Sequence, residues 1–217
     1  MKKISVFSMV MVLMMGLSLS SCLKGSDDAD KTEKEWEEWV KAVQAEIQAS
    51  IGTYSGYMYY RSDEATALQE KMDSVAADWI VRNDSTMDLL AVPTAVLVKQ
   101  LPERLKDLQT AIAQKGNTNI RVNLVYNYRY RSPLEILVYP EPVKFDVNYE
   151  NETHEVEIRF YDSEKSATSR AQYLQYADET LVNISLIRLF VQSVYLDGKI
   201  QYEPGSEAYF WWYGQKK

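Results

Sequence analysis

The segment NIRVNLVYNYRYR, Asn119 to Arg131, alternates its side chains with a period of two. Ile120, Val122, Leu124, Tyr126, Tyr128 and Tyr130 share one face, and Arg121, Asn123, Asn127, Arg129 and Arg131 fill most of the other. One apolar and one polar face is the pattern of a half-buried antiparallel strand. Three shorter runs downstream repeat it: Leu134 to Tyr139, then Val143, Phe145, Val147 and Tyr149, then Val156, Ile158 and Phe160. The polar stretch ENETH joins the last two as a hairpin connection. Asp162 to Asp178 is polar and poorly periodic, and reads as a long loop or a short helix. Leu181 to Tyr195 and Lys199 to Tyr202 pair through Leu196-Asp197-Gly198, a two-residue hairpin signal. Ala208 to Gly214 supplies the last strand.

Upstream of the deciding segment, GTYSGYMYYRS opens a first strand at Gly52, and Ser74 to Val81 forms a second. Asn83-Asp84-Ser85 turns the chain into a third, Met87 to Val92. A helical insertion follows over about 93–115. Pro102 inside it predicts a kink or two short helices, because proline cannot continue the helical hydrogen-bond ladder. Leu101, Leu105, Leu108 and Ile112 mark its buried face, and Gly116 its stop. Nine or ten strands with one helical insertion make the β domain, residues 51–217, an antiparallel β-sandwich or partly open barrel. A lipocalin-like closed barrel is the alternative.

Residues 32–50 read as an amphipathic helix, with Trp36, Val40, Val43 and Ile47 on one stripe and Trp39 widening it. Thr32 is the predicted N-cap, with Glu35 completing a capping box. Before the helix lies Cys22, the only cysteine in 217 residues, so it cannot form an internal disulfide. Lys2 and Lys3 precede an apolar run, Ile4 to Leu19, that is too short to span a bilayer and has the layout of an export signal. Leu19-Ser20-Ser21-Cys22 resembles the bacterial lipobox, which implies removal of residues 1–21 and lipidation of the Cys22 sulfur and amine. Several acyl chains anchor far better than one. Residues 22–31, with Asp27, Asp28 and Asp30, read as an acidic flexible tether and resemble the surface-export signal of Bacteroidota lipoproteins. The expected address is therefore the outer membrane, lipid-anchored and facing the cell exterior, or its periplasmic face.

GTYSG at the first strand, NDSTMDLLAVPTAVL leading into the helical insertion, and VYLDGKIQ in the late hairpin resemble an uncharacterised Bacteroidota lipoprotein family, a domain of unknown function. The resemblance runs from about Gly52 to the C-terminus. It brings no assigned activity and no functional residues.

Chemistry is limited by what the chain contains. Its net charge is −7, so the field repels rather than attracts nucleic acid. No cofactor is expected: there is no GxGxxG, P-loop or EF-hand loop. His154 is the only histidine, too few for a zinc site and unaccompanied by a G-x-S-x-G elbow. It is expected to be an exposed turn residue. Asp146, Glu155 and Glu157 lie on polar faces of adjacent strands, the one arrangement open to a carboxylate-dependent glycan-acting enzyme. Asp73-Ser74-Val75 and Asp84-Ser85-Thr86 resemble an O-glycosylation acceptor of exported proteins, and Ser85 sits at the more accessible turn.

Sixteen tyrosines and five tryptophans are the surplus that points to binding. In AYFWWYG, Tyr209, Trp211 and Tyr213 face one way and Phe210 and Trp212 the other. Either a helix, 32–50 or 94–114, covers one of those faces, the favoured reading, or aromatic rings are exposed to stack on sugars. The candidate binding patch places Arg129 and Arg131, cations on an acidic chain, beside Trp211 or Trp212, for a glycan or protein partner. The sequence expectation is a non-enzymatic binding or scaffolding module, with a carrier of a small apolar ligand as the alternative.

Overall fold

The structure, a computed structural model, describes residues 26–62, 71–128, 133–166, 169–174, 184–204 and 208–217. Helix α1 runs Ser26–Ser50. It starts six residues before Thr32 and takes in part of the expected tether, in keeping with acidic residues that complement a helix N-terminus. The chain divides at Val40 into two compact units. In the first, Trp36 on α1 is 58% exposed rather than part of a buried stripe.

The second unit is a closed barrel. Strands β1 (Gly52–Arg61), β2 (Met72–Val81), β3 (Thr86–Pro93), β4 (Asn117–Asn127) and β5 (Leu134–Pro140) pair in sequence order, every pair antiparallel. The chain then leaves as the hairpin β6 (Val143–Tyr149) and β7 (Glu152–Phe160), and returns as β8 (Arg170–Leu174) against β5. Strand β9 (Ile184–Leu196) pairs with β8, β10 (Lys199–Tyr202) pairs with the end of β9, and β11 (Tyr209–Lys216) joins β9 to β1. Eight strands thus close a ring in the order β11-β1-β2-β3-β4-β5-β8-β9. The closed-barrel alternative is the fold, and neither the sandwich nor the open barrel is formed, because β11 has a partner on both sides. Strand β8 is the element hidden in the stretch expected to be loop or helix.

An eight-stranded barrel is just wide enough for its side chains to fill. Tyr54, Met58, Trp79, Met87, Leu89, Ile120, Val122, Leu134, Ile187, Leu189 and Trp212 point inward and are buried. Tyr54 and Trp79 stack with centroids 5.6 Å apart. Room for these rings comes from Gly56 and Gly214, which face each other across the β1–β11 seam. A Cβ on Gly56 would lie 2.2 Å from Tyr213 O, and one on Gly214 would lie 2.6 Å from the Trp79 ring.

Both barrel mouths receive helical cover. At one, the last turn of α1 buries Val43, Ile47 and Ser50. Its terminal carbonyls find donors from the strands: Tyr54 OH donates to Ser50 O at 2.6 Å, and Tyr173 OH and Lys216 Nζ donate to Ala49 O at 3.2 and 2.7 Å. A helix C-terminus needs such donors and favours a cation. Here β11 provides the lysine. Burial also pushes the Tyr54 phenol far above its usual pKa. At the other end, the insertion forms α2 (Thr94–Leu97), a short 3-10 turn (Glu103–Leu105) and α3 (Lys106–Ala113), broken at Pro102 as expected. Leu101, Leu105, Leu108 and Ile112 are its buried face. Lys99 reaches Asp73 at 3.3 Å and lies over the Tyr60 ring, tying the insertion to the ends of β1 and β2.

Beyond the ring, the second half of β9 continues into a small sheet ordered β6-β7-β9-β10. The β9–β10 connection is the expected two-residue hairpin. Asp197 and Gly198 both have positive φ, the geometry that matches strand twist.

Candidate functional site

Inward residues of β1, β11 and β9 fix what faces out. With Tyr54 and Met58, Phe210 and Trp212, and Ile187 and Leu189 inside, the outer face carries Tyr57, Tyr59, Tyr209, Trp211, Tyr213, Leu186, Arg188 and Phe190. Register brings them together: Tyr57 lies opposite Tyr213, and Tyr59 opposite Trp211. Trp211 is in turn opposite Arg188, and Tyr213 opposite Leu186. Ring contacts continue along the wall, Phe190–Tyr209 at 5.9 Å, Tyr209–Trp211 at 6.0 Å and Tyr57–Tyr59 at 6.3 Å. The Arg188 guanidinium lies 4.9 Å from the Trp211 ring centroid. Tyr57 is 52% exposed and Tyr213 45%, so these rings face solvent, and the covered-face expectation is corrected for them. Strand β2 beside it presents exposed Ser74 and Ala76, too small to screen the tyrosines.

Of the expected patch, Trp211 keeps its place at the surface and Trp212 does not. Trp212 is 0% exposed and belongs to the barrel core, so it cannot meet a ligand at the surface. Trp211, one residue away and of opposite parity, is the outward ring. Arg129 and Arg131 lie outside the described residues, as does Cys22. Among the described residues, the cation beside these aromatics is Arg188. Its signal in the sequence is a lone charge within ISLIRLFVQSV, part of the run Leu181 to Tyr195 that reads as one strand of a hairpin.

Other candidates resolve into structural roles. His154 lies on β7, not in the turn, and is half-buried; its Nδ1 is 2.6 Å from Asp197 Oδ2. Asp197 also accepts from the Glu155 backbone amide at 3.0 Å. The Asp197 carboxylate raises the histidine pKa above its ordinary value, and His154 holds the carboxyl below its own. The pair fastens the β9–β10 turn to β7. Glu157 is buried and contacts Arg159 at 2.5 Å and Lys144 at 3.0 Å. The Arg159 hydrogen bond, aided by Lys144, holds its pKa below the usual carboxylate range. That is the wrong direction for a general acid, which must stay protonated near neutrality. Asp146 faces Glu155 across β6–β7, and Lys144 lies 3.6 Å from Glu155. Among the described residues no group of three or more His, Cys, Asp or Glu could hold a metal ion. Ser85 is exposed in the β2–β3 turn, where its hydroxyl donates to Asn83 Oδ1 at 2.9 Å.

Fold and site together define an antiparallel eight-stranded barrel, with a packed interior and an aromatic strip on the outside of its closing seam. The chain belongs to the family described as Domain of unknown function (DUF4840), whose model matches residues 49–196. Neither a curated protein nor a solved structure matches it. The matched region ends with β9, so β11 and its half of the aromatic strip lie beyond it.

Proposed function

We propose that the protein is a lipid-anchored cell-envelope module that binds glycan on its outer wall and catalyses no reaction. The observation that carries the reading is the half-exposed strip Tyr57, Tyr59, Trp211 and Tyr213. Large, rigid rings with polar tips give contact area at low conformational cost and suit the flat faces of sugars. Exposed apolar patches of this kind mark interaction sites. A carrier role has less support, since bulky side chains occupy the barrel interior where an apolar ligand would sit.

The mature protein should be retarded in gels containing polysaccharide. Trp211→Ala combined with Tyr213→Ala should weaken that binding at least about tenfold, about 1.4 kcal/mol, without lowering the melting temperature appreciably. A wild-type protein that no polysaccharide retards, or a double variant that is retarded equally, overturns the binding reading.

The anchor rests on the lipobox-like Leu19-Ser20-Ser21-Cys22 and the apolar run before it. Cys22→Ser should transfer the protein from the detergent phase to the aqueous phase in a cloud-point partition of cells. A variant that is processed normally and still partitions with detergent removes the anchor from the proposal. An outer-membrane address follows from the same motif.

A further inference from the structure

We propose that the wall selects acidic glycans, with Arg188 reading the sugar carboxylate; this rests on the glycan reading above and deepens it. Arg188 sits on the outer face of β9, between Trp211 on β11 and Arg170 on β8. Two cations directly across a strand pair repel unless anions answer both. Arg170 has its anion, Glu135 at 2.8 Å. Arg188 makes no ion pair among the described residues, and its Nε is buried without a hydrogen-bond partner. Three other arginines are answered: Arg82 and Arg121 share Asp88, and Arg159 pairs with Glu157. On a chain of net charge −7, an unanswered guanidinium beside the aromatic strip invites an anion.

What would complete it follows from shape. The Trp211 ring covers the guanidinium, while its planar fork matches a carboxylate with two parallel hydrogen bonds. A hexuronate offers both parts at once, a pyranose face for Trp211 or Tyr213 and a carboxylate for Arg188. Nucleic acid carries phosphates but no pyranose bearing a carboxylate, so it does not supply both parts.

The test compares polygalacturonate with its methyl ester, which keeps the backbone and removes the charge. Titrated by calorimetry, the mature protein should bind the acid form at least about tenfold tighter than the ester, the worth of a charge-assisted hydrogen bond. Arg188→Gln should abolish that preference. Arg188→Lys, which keeps charge without the fork, should retain only part of it. Equal binding of the two polymers or a preference that survives Arg188→Gln overturns the acid selectivity and leaves the platform standing. Binding of neither polymer overturns the selectivity too, and if the polysaccharide gels also show no retardation the platform falls with it.

Discussion

Trp79→Ala is expected to cost about 3–5 kcal/mol of folding free energy, the range for emptying a large aromatic site in a packed core. The ring is 0% exposed and stacks on Tyr54 with an interplanar angle of 4°. Its indole nitrogen has no hydrogen-bond partner, so the loss is one of packing, with no polar partner stranded. The site cannot collapse easily, because the strands around it are fixed by closure of the ring. Tyr54, left without its stacking partner, also carries the hydrogen bond to Ser50 O that seats the end of α1. A domain of ordinary stability, about 5–15 kcal/mol, would lose about a fifth of it or more. Urea unfolding measures this as a lower midpoint. A cost below about 1 kcal/mol would mean that the ring is not in the core.

Gly56→Val is expected to prevent the barrel from closing, at a cost of at least about 3 kcal/mol, the upper end of overpacking. The added Cβ would meet Tyr213 O at 2.2 Å and Gly214 Cα at 2.5 Å. Both are backbone atoms, so no rotamer change relieves the clash and the β1–β11 seam must part. Gly214→Val meets the same obstacle from the other strand, at Ser55 O, 2.4 Å away. Trimming Trp79 would not rescue it, since the backbone contact persists. Gly198→Ala is the contrasting control. It has open space but a φ of +73°, and should cost only about 1–2 kcal/mol of left-handed strain. Circular dichroism and gel filtration of Gly56→Val should show lost structure or aggregation, and a variant that melts like the unaltered protein contradicts the seam described above.

The alternation of β4 was legible because each of its residues meets one of two environments, core or water. Pro102 and Asp197-Gly198 were legible because their backbone chemistry is local. Strand β8 was not: five residues with two inward positions, Ala171 and Tyr173, are too few to display a period. Ring closure was not either, since it depends on β11 meeting both β1 and β9. The glycines inside GTYSG and WWYGQ were its trace, as glycine within a strand marks close backbone approach. Alternation in AYFWWYG separated Trp211 from Trp212 correctly, but only register decides which of two apolar faces turns inward. The pairing of Arg188 with Trp211 was beyond reach for the same reason. It joins two strands through a register that no local pattern encodes.

Because β11 closes the ring, the strand of the ring that comes last in sequence is the one that the first strand awaits. Tyr54 has its partner at Lys216, almost the entire chain away. Contacts of such long range make folding slow, and until they form, β1 and β9 each present an unpaired edge open to aggregation. Such a polypeptide has no finished barrel until β11 is in place. It also makes integrity of the tail all or none. Loss of Tyr209–Lys216 removes the closing strand, Trp212 from the interior, half of the aromatic strip and the lysine that holds the end of α1, in a single clip by a protease.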